Sequence, residues 1–508
     1  MHTAHPSSRR DCLSLGLGAL ATCYLPWVRA ADVSRFAWGV ASGFPQADGM
    51  VLWTQLSGPA LPDRVDVRWE VATDAQFKNV VARGVEVAEA SWGWSVHAEP
   101  TGLPPERWFW YRFQALGDQS PAGRTRTAPA PAANAVLKFA TASCQRYDMG
   151  HYAAWRQVVQ DEPDLVIFLG DYIYEYGSRP DALRRHDGGS VSSLEQYRQR
   201  YQQYKSDPLL QAAHAACPWL FVWDDHEVDN DYAGLQGQSL QTQFAPQRAA
   251  AYQACWEHLP LPKAMRPSGS EARIYGALNW GRLARILLLD DRQYRDPQAC
   301  PKPGRGGSNT VARQSCPELA APQRSLLGPT QERWLEQAWD TQRPWNLLAQ
   351  QTLMAPFAWS DPAGTEGGLV WTDGWDGYAP ARQRLLDRVA ELKLPGAVVL
   401  GGDVHTHYVT ELHRQPQDLR SPVVATEFCG TSISSLSLPQ ARIEAAAKFN
   451  PHVHYARGDA RGYMGFTLSE QRLEARLMAV DDALNPESPV RVAARFVVEA
   501  GRPAIVKD

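Results

Sequence analysis

Three features are absent from this 508-residue sequence: a run of basic residues, a long apolar stretch and an internal repeat. The formal net charge is -4, so the chain offers no basic face that would hold nucleic acid. The apolar segment over residues 13–25 is too short to cross a bilayer, which excludes a membrane-spanning protein. The remaining composition is that of a globular chain too long for one core, and we expect a large domain beside a smaller one.

The first thirty residues predict an exported protein. Arg9 and Arg10 stand ahead of the short apolar segment, and Val28-Arg29-Ala30 is a plausible cleavage site. Together they indicate a twin-arginine signal over residues 1–30, with an ordinary secretory signal as the alternative. We therefore expect a periplasmic or secreted protein that passes through the export machinery in its folded form.

Cysteine is scarce as well, with eight residues in the whole sequence. Cys300 and Cys316 flank a loop rich in glycine and proline, and they could pair in an oxidising compartment. The spacing of the cysteines leaves their connectivity open.

Residues 31–130 predict a β-sandwich. The segments over residues 65–71 and 108–113 alternate apolar and polar side chains, and turn residues separate such runs. This pattern is typical of a fibronectin type III-like domain, with an extra sheet of the main domain as the alternative. The proline-alanine segment over residues 128–133 then indicates a linker.

From residue 136 to residue 508 the pattern changes to strands that alternate with helices, which predicts an α/β domain. Helical patterns cover residues 194–205, 243–258, 329–339 and 380–392. Later strands over residues 465–480 and 490–498 look antiparallel, and we expect them to close a second sheet.

One strand carries the most informative pattern. Residues 165–169 are apolar, Gly170 and Asp171 follow directly, and Tyr174 stands three residues beyond the aspartate. An apolar run of this length is typical of a strand buried on both faces, and its carboxyl end is where α/β sheets bind ligands. We expect Asp171 to bind metal and to bridge two metal ions.

At least four strands end in a side chain that can bind metal. These side chains are Cys144, Asp171, Asp225, His226, Asp403 and His405. Taken singly, each has an ordinary alternative, such as a small buried thiol or a helix cap. Their repetition at the ends of successive strands favours one shared site.

The donor types predict two different cations. Thiolate, phenolate and imidazole favour a transition metal, so Cys144, Tyr174 and His405 would hold an iron-like ion. Carboxylates favour hard cations, so Asp225 and Asp403 would hold an ion such as calcium or magnesium. The bridging aspartate would lie between the two ions.

In this order and spacing the motifs resemble those of the PhoD-type alkaline phosphatases, within the calcineurin-like metallophosphoesterase superfamily. The resemblance covers nearly the whole chain after the signal, including residues 36–43, 142–145, 169–176, 223–228 and 402–405. It implies a catalytic sandwich of two mixed sheets flanked by helices, behind the fibronectin-like domain. It also implies Fe(3+) and Ca(2+) as cofactors.

Individual motifs extend this resemblance. The Gly-Asp-x-x-Tyr pattern over residues 170–174 is similar to that of purple acid phosphatases, where the aspartate bridges and the tyrosine binds ferric iron. Residues 225–227 resemble the Asn-His-Glu motif, and residues 402–405 resemble Gly-His-x-His, each with an aspartate in place of a neutral ligand. Both replacements supply anionic oxygens that suit calcium. His407 offers a second His-x-His alternative to His405.

The implied function is hydrolysis of phosphate monoesters and diesters by a metal-activated hydroxide. Asp171 and His226 are the expected catalytic residues, and His226 would contact the phosphoryl group or protonate the leaving oxygen. Arg292 is the candidate substrate contact, together with Arg295, because arginine offers a planar fork to anions. A structural role for both arginines is the alternative. Further candidate metal ligands are Asn230 and Asp373.

Two other functions compete with this one. A phosphodiesterase or phospholipase D-like hydrolase of lipid head groups or wall polymers would use the same two-metal chemistry. More remotely, an exported binding protein would keep its metals for structural reasons. The expected partners are small-molecule phosphate esters, with phospholipid or wall-polymer diesters as further substrates, and we expect a monomer.

Overall fold

The computed structural model describes residues 34–507, so the export signal predicted over residues 1–30 lies outside the described residues. The helices are α1 Ala153–Asp161, α2 Leu194–Lys205, α3 Pro208–Ala216, α4 Phe244–His258, α5 Gly328–Ala338, α6 Ala379–Leu392 and α7 Gln440–Ala447. The strands of the first half are β1 Val40–Gly43, β2 Val51–Gln55, β3 Arg64–Ala72, β4 Val80–Glu89, β5 Ser95–Ala98, β6 Trp108–Ala115, β7 Asp118–Gln119, β8 Gly123–Arg126, β9 Leu137–Ala142, β10 Leu165–Leu169 and β11 Pro218–Val222. Those of the second half are β12 Gly276–Trp280, β13 Ala284–Leu288, β14 Thr310–Ala312, β15 Trp345–Ala349, β16 Leu369–Trp371, β17 Ala397–Gly401, β18 His407–His413, β19 Val423–Cys429, β20 Val453–Arg457, β21 Arg461–Leu468, β22 Arg472–Val480, β23 Val490–Glu499 and β24 Arg502–Lys507.

Ten strands form the sheet that carries the first predicted metal ligands, in the order β24-β23-β22-β21-β9-β10-β11-β1-β2-β5. Strands β9, β10 and β11 are parallel neighbours, with Val166 beside both Ala140 and Trp219. Every residue of β10 and β11 is buried, as the continuous apolar runs predict for central parallel strands. Their carboxyl ends therefore meet at one edge of the sheet.

Seven strands form a second mixed sheet, in the order β12-β13-β15-β17-β19-β18-β20. Alternate side chains of its strands face opposite sides. Leu347 and Leu400 pack in the core shared with the ten-stranded sheet, whereas Leu348 and Val399 pack in a second core with α5 and α6. Helices α1 to α4 contribute to the first core. The predicted sandwich of two mixed sheets flanked by helices is thus confirmed.

The N-terminal part adds a five-stranded sheet of β4-β3-β6-β7, with β8 beside β6. Its inner face packs on β1, β2 and β5 in a core of its own that includes Leu52, Val67 and Phe109. A β-sandwich is therefore present, but one of its layers continues the ten-stranded sheet, where β1 pairs in parallel with β11. This strand pairing joins the N-terminal strands to the rest of the chain, which from Ser34 onward is one compact unit. The division into domains over residues 31–130 and 136–508 stays a prediction.

The C-terminal strands depart from their prediction. Those expected over residues 465–480 and 490–498 are antiparallel, as β21, β22 and β23. The expectation that they close the second sheet is wrong, because β21 pairs with β9 and extends the ten-stranded sheet.

Local signals explain which helices the sequence reveals. Helix α2 begins at Leu194 as predicted, where Ser193 and Gln196 form a capping box. Helix α3 was not predicted, although Asp207 caps it and Pro208 opens it. Its nine residues are too few for a clear helical period.

Cys300 and Cys316 form a disulfide, with their Cα atoms 6.1 Å apart. The pairing predicted for them is confirmed. Among residues 34–507, no helix is long and apolar enough to cross a membrane.

Candidate metal centre

Four of the predicted metal ligands have a left-handed backbone. The φ angle is 59° at Cys144, 60° at Asp171, 62° at Asp403 and 52° at His405. Residues other than glycine avoid this region because the Cβ atom crowds the backbone, at a cost of about 1–3 kcal/mol each. Such strain concentrates at functional sites, and here it marks the connections that follow three strands, β9, β10 and β17.

Glu227 joins the Asp171 turn to the segment that follows β11. Its carboxylate accepts hydrogen bonds from the backbone N–H groups of Asp171, Tyr172 and Asp224 at 3.1, 2.5 and 2.9 Å. Gly170 is required in the same turn, since its φ is 99° and a Cβ atom there would lie 2.4 Å from the Asp224 Cβ. The turn that presents Asp171 is therefore fixed by a buried acid and a glycine.

Cys144, Asp171, Tyr174 and His405 form a group that we term the Asp171 cluster. The ligand atoms of Cys144, Asp171 and His405 lie within 4.8 Å of one another. Tyr174 donates a hydrogen bond to Asp171 Oδ2 at 2.7 Å, and its hydroxyl lies 3.2 Å from His405 Nε2. The structure thus brings together the thiol, phenol and imidazole that the sequence predicted around an iron-like ion.

Carboxylates gather on the other side of Asp171. Asp171, Asp225 and His226 offer ligand atoms within 4.8 Å of one another. Asp225 belongs to two further groups whose ligand atoms have the same spacing. Asp224 and Asp403 complete the first group, and Asp231 and Asp373 complete the second. Asp171 therefore belongs to both donor sets.

The electrostatics of Asp171 fit a bound cation. Its Oδ1 atom is buried and has no hydrogen-bond partner among the described residues. Burial raises the pKa of Asp171 well above its usual value, and Asp225 raises it further against the opposing charge of His226. Burial also raises the pKa of the Cys144 thiol, and Asp171 adds to this effect. A cation would stabilise the ionised forms of both side chains, which are the forms that bind metal.

Asp224, Arg292, Arg295 and Asp373 form a second buried group, which we term the Arg292 cluster. Arg292 bonds to Asp224 and, at 2.6 Å, to Asp373, and Arg295 bonds to the other oxygen of Asp373. Burial alone would raise the pKa of Asp373, but the two arginines lower it. This cluster carries its own counter-charges.

The geometry does not favour the predicted contacts of Arg292 and Arg295 with the substrate. Both side chains are only 1% exposed, and neither lines the cavity above the metal ligands. Their guanidinium groups are already bonded to carboxylates. The structural alternative fits both arginines, and Asp373 is the partner that they share.

His226 lines the cavity, and its ring contacts the carboxylate of a buried glutamate. Its Nδ1 atom lies 2.7 Å from Glu175 Oε2, and Glu175 also accepts a hydrogen bond from the backbone N–H of Asn230 at 2.9 Å. Burial alone would lower the pKa of His226, but Glu175, Asp225 and Asp171 raise it well above its usual value. These acids therefore favour the protonated form of His226.

The two histidines at the end of β17 have different surroundings. His405 lies beside Asp171 with its Nδ1 atom 2.7 Å from the Leu436 carbonyl oxygen, which leaves Nε2 directed at the cluster. The ring nitrogens of His407 lie 3.2 Å from the Thr431 backbone nitrogen and 3.3 Å from the Met478 carbonyl oxygen. The geometry therefore favours His405 over His407 as the metal ligand.

A cavity of about 510 Å³ opens above the site. Its polar floor comprises Asp171, Asp225, His226, Asn230, Asp403 and His405. Its apolar side, which we term the apolar wall, comprises Phe357, Trp359, Trp371, Leu436 and Leu438. Cys144 and Tyr174 are buried beneath the floor.

Comparison with known proteins identifies the family. Residues 139–477 match the family model of the PhoD-like phosphatases, and residues 22–129 match that of the PhoD-like phosphatase N-terminal domain. The chain belongs to the PhoD-like phosphatase family. The resemblance inferred from the motifs is confirmed.

Relatives of this PhoD-like phosphatase support the assignment. Alkaline phosphatase D of Bacillus subtilis strain 168 is 38% identical over 492 residues, which cover 93% of this chain and 82% of that protein. A solved structure of PhoD superposes with a TM-score of 0.88 at 37% identity, covering 94% of this chain and 92% of that one. A purple acid phosphatase from yellow lupin (Lupinus luteus) seeds shares the fold at a TM-score of 0.57 and 11% identity, covering 91% and 74% of the two chains.

Sequence reasoning gave no role to two acids of the site, Glu175 and Glu227. Each directly follows a predicted site residue, Tyr174 or His226. The available signal was that each glutamate is adjacent to a predicted site residue. This signal is weak, because the side chains of adjacent residues normally point in different directions. The hydrogen-bond partners of the two glutamates lie on other loops, so the fold determines which groups each glutamate holds.

Proposed function

We propose that this PhoD-like phosphatase is an exported alkaline phosphatase that hydrolyses phosphate monoesters and diesters. One observation carries the proposal: Asp171, buried and strained, stands between a thiol-phenol-imidazole donor set and a set of carboxylates. Cations on both sides of such a residue would lie close enough together to bind one phosphate group. The cavity above the site gives an ester access to them.

We propose Fe(3+) and Ca(2+) as the two cations. Cys144, Tyr174 and His405 would hold Fe(3+), because thiolate, phenolate and imidazole are transition-metal ligands. Asp225 and Asp403 would hold Ca(2+), which prefers anionic oxygens. Asp171 would be shared by the two ions, because it belongs to both donor sets and its Oδ1 atom has no hydrogen-bond partner among the described residues.

When bound, the cations would supply Lewis acidity toward the phosphate oxygens and the hydroxide that attacks phosphorus. His226 contributes the proton for the leaving oxygen, since it lines the cavity and its pKa lies above its usual value. Glu175 orients His226 by holding Nδ1, so that Nε2 is the nitrogen available to the substrate. Arg292 balances the charge of Asp224 and Asp373 beneath the site.

Export through the signal over residues 1–30 agrees with the disulfide between Cys300 and Cys316. Disulfides persist in oxidising compartments such as the periplasm and are rare in the cytoplasm. A periplasmic or secreted location therefore fits the chemistry of the folded part. We further propose that the enzyme acts as a monomer on small-molecule phosphate esters.

A phosphodiesterase or phospholipase D-like activity is the second candidate. The size of the cavity favours it, since about 510 Å³ is enough space for a second ester arm. The same metal ligands would serve both reactions, because the attacked phosphorus atom is held in the same way. The binding-protein alternative is disfavoured by His226, which a purely structural metal site would not need.

The test is hydrolysis of matched esters by protein purified with its native metals. A monoester and the corresponding diester should both be hydrolysed, and a chelator should abolish both activities. Full activity after the bound metal has been removed would overturn the proposal. Hydrolysis of the diester alone would favour the second candidate.

A further inference from the structure

The apolar wall and the charged floor line the same cavity. The floor would hold the phosphoryl group, so the alcohol portion of an ester has to extend into the remaining space. The wall lines much of that space. At about 510 Å³ the cavity falls within the range of pockets that hold whole organic molecules, about 300–1,000 Å³, and it exceeds the needs of a phosphoryl group alone.

A short ribbon fixes one part of the wall. Strand β16 pairs with β14, which places Trp371 opposite Thr310 and Val370 opposite Val311. Val370 and Val311 pack in a small core that includes the Cys300–Cys316 disulfide. Because side chains alternate along a strand, Trp371 and Thr310 face the other way, and both line the cavity.

Aromatic packing fixes a second part. Phe357 and Trp359 meet edge to face with their ring centroids 4.9 Å apart. The Arg442 guanidinium lies over the Trp359 ring at 5.3 Å and has no carboxylate partner among the described residues. The backbone N–H of Trp359 also donates to the Leu369 carbonyl oxygen at 2.8 Å. The wall is thus a preorganised apolar surface with an unpaired positive charge at its rim.

Two leucines complete the wall and remain in contact with solvent. Leu436 is 55% exposed and Leu438 is 42% exposed, although both line the cavity. Leu436 is anchored to the metal centre, since its carbonyl oxygen lies 2.7 Å from His405 Nδ1. Apolar side chains at this position gain free energy when a bound molecule covers them.

We propose that the apolar wall binds the alcohol portion of the substrate, so that the enzyme favours phosphate esters whose alcohol carries an apolar, ring-sized body. This inference rests on the proposed phosphatase function and adds a substrate class to it. Arg442 attracts the anionic ester to the rim, and the exposed leucines and half-buried tryptophans cover its apolar body. The wall therefore determines specificity, whereas the floor performs the chemistry.

The test compares benzyl phosphate with methyl phosphate, two monoesters whose parent alcohols have similar acidity. For the metal-loaded enzyme, kcat/KM for benzyl phosphate should exceed that for methyl phosphate by about tenfold or more, the usual size of discrimination by an apolar pocket. Trp371→Ala and Leu438→Ser should each lower this ratio by at least about threefold. The control Leu484→Ser alters a leucine that is 59% exposed outside the cavity, and it should leave the ratio unchanged.

A ratio near one in the wild-type enzyme would overturn the inference while leaving the phosphatase function intact. A high ratio that neither Trp371→Ala nor Leu438→Ser lowers would also overturn it. If the metal-loaded enzyme hydrolyses neither ester, the proposed function itself fails. Leu438→Ser keeps the test decisive if Trp371→Ala does not fold, because Leu438 is exposed and its substitution leaves the core intact.

Discussion

The Asp171 cluster and the Arg292 cluster are both buried beside the same cavity, yet they balance charge in opposite ways. In the Arg292 cluster two guanidinium groups bond to carboxylates, and the pKa of Asp373 lies below its usual value. In the Asp171 cluster the donors are a thiol, a phenol, an imidazole and a carboxylate, and the pKa of Asp171 lies well above its usual value. Arginines supply the counter-charge for Asp373, whereas the donors around Asp171 would leave that role to a bound cation.

The largest expected effect follows from removing Asp171. Asp171→Ala should lower kcat/KM by about a thousandfold or more, because both cations lose a shared ligand and transition-state charge is no longer neutralised. Bound metal should fall in the same variant. Asp418→Ala, which alters an exposed acid paired with Arg420, is the control and should keep full activity. Near-normal turnover in Asp171→Ala would show that the metal centre lies elsewhere.

The next largest effect should be on stability, in a variant that lacks Arg292. The expected loss in the free energy of unfolding is similar in size to the loss of transition-state stabilisation in Asp171→Ala. Arg292→Met leaves Asp224 without its arginine and Asp373 with Arg295 alone, and loss of a buried counter-charge costs about 3–5 kcal/mol in the free energy of unfolding. The control is Arg384→Met, since Arg384 is 42% exposed where it meets Glu332 and its ion pair contributes about 1 kcal/mol or less. Chemical denaturation of the three proteins gives the comparison. Equal stability of the two variants would contradict the contrast between the clusters.

The pH dependence of the metal-free protein sharpens the same contrast. Burial raises the pKa of Asp403 to about 7, with Arg292 opposing the shift and Asp225 adding to it. The folded value lies above the unfolded value of about 3.9, so the folded state binds more protons between these two values. The stability from this group is present below about pH 4 and is lost as the pH rises toward about 7.

The measurement is the thermal midpoint of chelated protein across this pH range, for the wild type and for Asp403→Asn. The wild type should lose stability relative to the variant as the pH rises, because Asp403 ionises without a bound cation. Reloading the wild type with metal should remove the loss. Parallel curves for the two chelated proteins would show that Asp403 already has sufficient counter-charge.

The smallest expected effect is on activity in His407→Gln. Since both ring nitrogens of His407 lie near backbone groups, this change should lower kcat less than about threefold and cost about 1 kcal/mol of stability. His405→Gln should lower kcat by about a hundredfold, because it would remove a ligand of the proposed iron ion. The reverse order of the two effects would assign metal binding to His407.

The sequence predicts the elements that have a clear local signal. The buried strand at residues 165–169 is visible as an apolar run, and the helix at residues 194–205 is visible through its period and cap. The sequence does not show which sheet the C-terminal strands join, because their alternating pattern is compatible with the edge of either sheet. The pairing of β21 with β9 depends on contacts between segments more than 300 residues apart.

The site shows the same division. Residues at strand ends, such as Cys144 and Asp171, are predictable because parallel strands bring their carboxyl ends together. The role of Arg292 is not predictable, since an arginine beside two aspartates has the same local pattern whether it faces substrate or faces buried acids. Only the fold shows that Asp373, 81 residues away, is its partner.

The most direct test of the central claim, that two unlike cations lie on either side of Asp171, is elemental analysis with visible spectroscopy of protein purified after native export. The account predicts that iron and calcium are both present, and that thiolate or phenolate to Fe(3+) charge transfer gives visible absorption. Cys144→Ser should retain calcium and lose iron. Bound zinc without iron, or a colourless protein that contains stoichiometric iron, would contradict the assignment of Cys144 and Tyr174 to a ferric site.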